Sequence, residues 1–139
     1  MQLLRQHKFY AKLKKCSFYQ RKVTFLGHDI DSDGMHINDN KIKAVKEWPT
    51  PRTKRDVQRF VGFAQFFRQF IYKFSAIALP LTNLCGSNVT FEWSAAADSA
   101  FKELRTRLYE APVLHIFYTT LPIEVHTDAS DTALSGILY

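Results

Sequence analysis

The chain has 139 residues, 46% of them hydrophobic, with twelve Phe, six Tyr and two Trp; this suits one domain, or a small domain plus part of another, and excludes wholesale disorder. There is no apolar run of membrane-spanning length and, in the first residues, none of signal-peptide length, while Cys16 and Cys85 lie too far apart for a disulfide framework or a thiolate metal cluster and read as two buried thiols in a reducing compartment. The net charge of +6 is unevenly spread: residues 1–75 hold 16 Lys/Arg against 6 Asp/Glu and residues 76–139 hold 3 against 7, so the two parts have different tasks, and the basic one suits either a polyanion or a solvated surface.

Residues 1–22 carry seven Lys/Arg and no acid, with apolar punctuation at Leu3, Leu4, Phe9, Tyr10 and Leu13. They fit a helix or an extended edge, and without a capping residue at the start the chain reads as a piece of something longer. Val23–Ile30 is β-branched and aromatic, hence a strand. The turn Asp31-Ser-Asp-Gly34 and the return Met35-His-Ile37 make it a hairpin. Gly27 inside the strand marks a bulge or a close backbone approach. Asn38 or Asp39 caps a short helix, Lys41–Trp48, which Pro49 and Pro51 end.

Thr53-Lys-Arg-Asp56 has capping-box spacing and opens a helix expected to run to about Tyr72. Val57, Phe60, Val61, Ala64, Phe67 and Ile71 form one apolar stripe, and Phe63, Phe66 and Phe70 a second beside it. Arg52, Lys54, Arg55 and Arg59 cluster at its start, with Arg68 and Lys73 further on. Cations there, together with the unpaired N–H groups of a helix start, suit phosphate. Gly62 is costly in a helix interior, about 1 kcal/mol against Ala. Close packing on another helix is the simpler reason for it; approach of a sugar–phosphate groove, with Phe66 on the same face, is the other.

Ser75 is a candidate cap for a helix with Ile77, Leu81 and Leu84, near whose start Pro80 stands or which it breaks. Phe91–Trp93 is extended, Ser94 caps a helix Ala95–Glu110, and Leu121–Thr127 and Leu134–Tyr139 are strands around a turn at Asp128–Asp131. Asp128 at a strand end is a candidate divalent-metal carboxylate, with Asp131 and Glu124 nearby; a turn aspartate is the plainer reading.

The ordered set Lys15-Cys16-Ser17-Phe18, Val23-Thr-Phe-Leu-Gly-His28, Gly34-Met-His-Ile37, Trp48-Pro49-x-Pro51, Phe60-Val-Gly62, Phe74-Ser75-x-Ile77-Ala78-x-Pro80-Leu81, Phe91-x-Trp93, Ala111-Pro-Val-Leu114 and Thr127-Asp-Ala-Ser130 resembles the reverse transcriptase of gypsy-type long-terminal-repeat retrotransposons. The resemblance implies an α+β chain: residues 1–37 the end of the palm with a primer-grip hairpin at Phe25, Leu26, Gly27 and His28, residues 38–85 a helical thumb, residues 86–120 a connection segment, and residues 121–139 the start of a ribonuclease H-like mixed sheet. Arg55, Arg59, Gly62 and Phe66 would meet the template–primer duplex, and Asp128 would be the first ribonuclease H carboxylate. The Tyr/Phe-x-Asp-Asp polymerase signature is absent from the 139 residues, as are the further ribonuclease H carboxylates, so neither catalytic centre is complete within them. The resemblance further implies Mg2+ or Mn2+ in the parent enzyme with none held tightly here, an RNA–DNA or DNA duplex and the rest of a Pol polyprotein as partners, and an intracellular site in cytoplasmic particles or the nucleus. The alternative is a non-catalytic, domesticated remnant acting as an interaction module; a free-standing nuclease built on Asp128 is the weakest reading.

Overall fold

The structure, a computed structural model, describes residues 2–116, 120, 122–129 and 134–138. It is mixed α and β. A short helix α1 (Gln2–Gln6) and a 3-10 turn (Leu13–Lys15) precede a three-stranded antiparallel meander of β1 (Val23–Phe25), β2 (His28–Ile30) and β3 (Met35–Ile37). Helices α2 (Asp39–Lys46), α3 (Lys54–Phe66), α4 (Phe74–Leu84) and α5 (Ala95–Tyr109) follow, then an antiparallel pair, β4 (Val125–Ala129) and β5 (Leu134–Leu138). No helix among the described residues is long and apolar enough to cross a membrane.

Several expectations change. The stretch Val23–Ile30 is a tight hairpin of two strands rather than one: Phe25 pairs with His28 across the two-residue turn Leu26-Gly27. Both turn residues have positive φ, +49° and +82°, as a type I′ turn requires, so Gly27 serves a turn rather than a bulge. The helix begun at Thr53 stops at Phe66 and passes into a 3-10 turn, Arg68–Phe70. That change of pitch carries Phe70 out of the Phe63–Phe66 stripe and into the core, where it is buried with Phe67 and Ile71. Helix α4 starts after Lys73 (φ +54°) with no side-chain cap, not at Ser75, and takes Pro80 within its span. Asp128 lies inside β4 rather than in a turn; the expected turn residues Ser130 and Asp131, like Leu121, lie outside the described residues. Cys16 and Cys85 are free and half-buried, not buried.

One apolar core runs from Ile37 to Leu108. Val45 of α2, Val57, Phe60 and Ala64 of α3, Phe74, Ala78 and Leu81 of α4, and Phe101, Leu104 and Leu108 of α5 belong to it. Phe60 meets Phe101 edge-on at 4.6 Å, and α5 packs on both α4 and α2. The segment after residue 85 therefore shares the core of the helices before it. The Lys54 ammonium caps the far side by binding the carbonyls of Gly86 and Val89.

Hydrogen bonds tie the meander to this core at two places. Asn38 uses all its groups: its N–H donates to the Gly27 carbonyl (3.2 Å), its Nδ2 to Asp29 (2.8 Å), and its Oδ1 accepts from Asn40 N–H to cap α2. Asp29, buried in β2, also accepts from the Thr24 hydroxyl (2.7 Å) and pairs with Lys22 (3.0 Å). The second tie is a backbone bridge, Met35 to Leu114, with bonds of 2.7 and 3.0 Å. It passes so close to Gly34 (φ +142°) that a Cβ there would strike the Leu114 carbonyl.

Two outcomes follow. Gly34→Ala is expected to lower the urea midpoint, by about 1–3 kcal/mol in stability, because both the backbone angle and the bridge oppose a side chain. Donation from Asn38 and Thr24 holds the Asp29 carboxyl at about 2, against 3.8 ordinarily. A depressed folded-state value means stability fully present above about pH 4 and lost as pH falls through about 2. Urea midpoints taken across that window should fall for the wild type, with a shallower fall in Asp29→Asn.

Candidate nucleic-acid interface

The candidate site is the outer face of α3 with the tip of the β1–β2 hairpin beside it. Helix α3 begins on a complete capping box: the Thr53 hydroxyl accepts from Asp56 N–H (3.2 Å) and the Asp56 carboxylate accepts from Thr53 N–H (3.0 Å). The Thr53 hydroxyl also donates to that carboxylate, holding it below the usual range. An acid thus already sits at the helix start, which corrects the expectation of an anion site there. Of the cations expected around it, Lys54 is turned to the Gly86 and Val89 carbonyls, and Lys73 lies over the Tyr72 ring with its ammonium 4.0 Å from Asp128. Among the described residues, Arg52, Arg55 and Arg59 form no ion pair.

Arg55, Arg59, Gly62 and Phe66 follow one another at steps of four, three and four residues, so at 3.6 residues per turn they share one face. All four are exposed. A Cβ placed on Gly62 would meet nothing within 4 Å. Helix–helix packing, the simpler reason for this glycine, is therefore ruled out within the described residues. Gln58 stands exposed one turn before Gly62.

Phe66 joins this face to the hairpin. One side of its ring stacks on His28 (5.2 Å, 15° between planes), and its edge meets Phe67. His28 is buried; it also stacks on Phe70 at 5.7 Å and meets Phe67 edge-on at 5.3 Å. Its Nδ1 has no hydrogen-bond partner. This packing anchors β2 to α3. Phe25 and Leu26, by contrast, are 61% and 69% exposed at the tip. A leucine at φ +49° is strained by about 1–2 kcal/mol, and no packing of its side chain offsets that. Between tip and helix lies an apolar cleft of about 370 Å³ lined by Leu26, Gly27, Lys41, Phe63, Phe66 and Phe67.

Asp128 stands apart from this face. All of β4 is exposed, and Glu124 is paired with His126 at 2.9 Å. No group of three or more His, Cys, Asp or Glu able to hold a metal occurs among the described residues. One carboxylate with an ammonium beside it is not the donor set a divalent cation requires, so these residues alone do not fit a metal centre.

Comparison with known proteins adds the family. Residues 93–139 match the RNase H-like domain found in reverse transcriptase. The Retrovirus-related Pol polyprotein from transposon 412 of Drosophila melanogaster is 34% identical over 125 residues, covering 90% of this chain and 10% of that protein. The Transposon Tf2-3 polyprotein of Schizosaccharomyces pombe is 30% identical over 138 residues, covering 99% and 10%. The chain therefore spans about a tenth of the length of the curated relatives it matches. Among solved structures, the foamy viral protease-reverse transcriptase dRH in complex with double-stranded DNA superposes with a TM-score of 0.78 at 25% identity, over 99% of this chain and 25% of that one. The foamy viral protease-reverse transcriptase in complex with an RNA/DNA hybrid shares the fold, with a TM-score of 0.72 at 24% identity over 91% and 20%. The chain is accordingly a relative of retrotransposon Pol polyproteins, with residues 93–139 matching the RNase H-like domain found in reverse transcriptase.

Proposed function

We propose that the chain is the duplex-gripping part of an RNA-directed DNA polymerase with ribonuclease H. In this reading residues 1–37 close the palm and offer the β1–β2 hairpin as primer grip, residues 38–85 are the thumb, residues 86–120 connect, and residues 121–139 open the ribonuclease H sheet. Thumb and connection then act as one body, since α5 shares the core of α2, α3 and α4. The observation that carries the reading is Gly62: a glycine in mid-helix, facing open space, in line with two unpaired arginines and an exposed aromatic.

The physics favours a minor groove. The row from Arg55 to Phe66 spans about 16 Å, close to five base-pair steps. A helix with side chains is about 10–12 Å wide, too wide for the narrow B-form minor groove but able to lie along it where side chains are missing. The wide, shallow groove of an A-like duplex admits it more easily. Arg55 and Arg59 reach the flanking phosphates, Gly62 lets the backbone approach the sugars, and Gln58 offers an amide to the groove's acceptors. The solved relatives were bound to a DNA duplex and to an RNA/DNA hybrid, the same class of ligand. At the hairpin, the strained and exposed Leu26 fits a contact residue, because strain uncompensated inside the fold is the mark of a site.

The rest of the polyprotein would supply the chemistry. Divalent metals at the parent's catalytic centres would assist phosphoryl transfer and RNA cleavage; Asp128 would donate one oxygen ligand to the second centre. Phe9, Tyr10, Leu13, Phe18 and Tyr19 ahead of the meander, and Val125, Leu134 and Leu138 of the β4–β5 pair, are exposed, and suit burial against those further parts.

Gly62→Leu separates grip from fold. Removing a mid-helix glycine should raise stability by about 1 kcal/mol, while a side chain on the groove-facing row weakens duplex binding at every salt concentration; melting curves and fluorescence anisotropy read the two. Binding equal to wild type at matched salt would sink the minor-groove reading. Leu26→Asn should likewise raise the melting temperature, by relieving about 1 kcal/mol of left-handed strain, and weaken binding to a recessed primer end several-fold.

A further inference from the structure

The flank of α3 beside the Gly62 row, sharing Arg59 and Phe66 with it, carries a second feature. Residues 52, 56, 59, 63 and 66 succeed one another at steps of four and three, so they run down one side of the helix and the turn before it. Arg52, Asp56 and Arg59 line one cleft, of about 400 Å³, together with Trp48 and the prolines 49 and 51. Phe63 and Phe66 line the other, beneath the hairpin tip. The two abut, because the Trp48 ring of the first touches the Phe63 ring of the second at 5.1 Å. The result is a furrow with two arginines at one end. At its other end the surface is apolar except for one group, the Lys41 ammonium.

Lys41 is set against the hairpin turn and lines the apolar cleft. Its stem lies against the hairpin turn, with Cε 3.6 Å from where a Gly27 Cβ would be. It is exposed and, among the described residues, pairs with no carboxylate. Among the described residues other lysines, such as Lys43 and Lys46, also pair with no carboxylate, but Lys41 is the one that lines this cleft. A cation fixed by its stem between two ligand-facing elements, without a counter-ion, fits an anion brought by the ligand. An anionic strand lying in the furrow would set phosphates at Arg59 and at Lys41 and its sugars on Phe66 and Leu26.

We propose that Lys41 holds a backbone phosphate of the strand that runs along this furrow past the hairpin tip, making the furrow a phosphate track beside the minor-groove row. The assignment rests on the duplex reading above. Because the contact is to phosphate, it is blind to sequence and to sugar type.

Lys41→Met keeps the apolar stem over Gly27 and removes only the charge. Anisotropy titrations of the 139-residue chain, with a short labelled RNA–DNA hybrid and the matching DNA duplex, are run across a salt series. Loss of one phosphate contact should make the slope of log K against log salt shallower by about 0.9, with several-fold weaker binding at low salt for both duplexes. Lys41→Arg should keep the wild-type slope, and Gly62→Leu should weaken binding with the slope unchanged. A wild-type slope in Lys41→Met while Gly62→Leu still weakens binding overturns the Lys41 assignment alone; this is also the result if the lysine serves an acidic protein surface. If neither variant weakens binding, the duplex reading fails and takes the assignment with it.

Discussion

The placement of everything functional in this chain hangs on the packing of one histidine. His28 sits at the first position of β2, directly across the turn from Phe25, and its ring lies among Phe66, Phe67 and Phe70. The contact joins a small sheet, which has little core of its own, to a helix that is deeply buried on its other side. It carries a cost, since the buried Nδ1 lacks a partner and such a group forfeits about 1–3 kcal/mol. Three ring contacts at about 0.5–1.5 kcal/mol each offset it. With that joint made, the hairpin tip and the α3 face stand at a set separation as one surface.

The same joint explains why α3 stops where it does. Continued as an α-helix to Tyr72, the chain would keep Phe70 on the row of Phe63 and Phe66, away from the core. The 3-10 turn at Arg68–Phe70 rotates it inward, where it closes the cage around His28. A local propensity for helix yields to burial of a large aromatic. Pro80 tells a similar story in α4: a proline in a helix interior is unfavourable by about 3 kcal/mol, yet the helix runs through it, because Ala78 and Leu81 are buried in the common core and α4 packs on α5.

What was legible in the sequence was what local chemistry decides. The capping box at Thr53 and Asp56, the Ser94 cap of α5 and, of the two candidate caps of α2, Asn38 stand where composition and spacing put them, while α2 runs over Asp39–Lys46 and ends before the expected break at Trp48-Pro49. The family was legible too, because an ordered set of motifs survives where any single one would not be specific. Missed were features set by partners distant in the chain. The Leu26-Gly27 turn lacks the usual Asn-Gly signature and is held by Asn38 and by the His28 cage. The fates of the cations were equally hidden: Lys54 looks like Arg55 in sequence, but its neighbour in space is the end of α4. Whether Gly62 faces another helix or open space could be decided only by the packing of α4 and α5 on the opposite side of α3.

The charge asymmetry takes on physical meaning from this arrangement. The helices that build the core after residue 76 need no net positive charge, and their acids are partly spent on local pairs such as Asp98 with Lys102 and Glu103 with Arg107. Arg52, Arg55, Arg59 and Lys41, which form no ion pair among the described residues, lie on the side of α3 left uncovered by that core, on the turn before it and on α2. Burial of one side of α3 therefore does two things together. It fixes the helix rigidly enough for a bare glycine face to be useful, and it collects uncompensated positive charge on the side where a polyanion can approach. The grip proposed above would need no catalytic group, and its strength would vary with salt and with groove shape rather than with base identity.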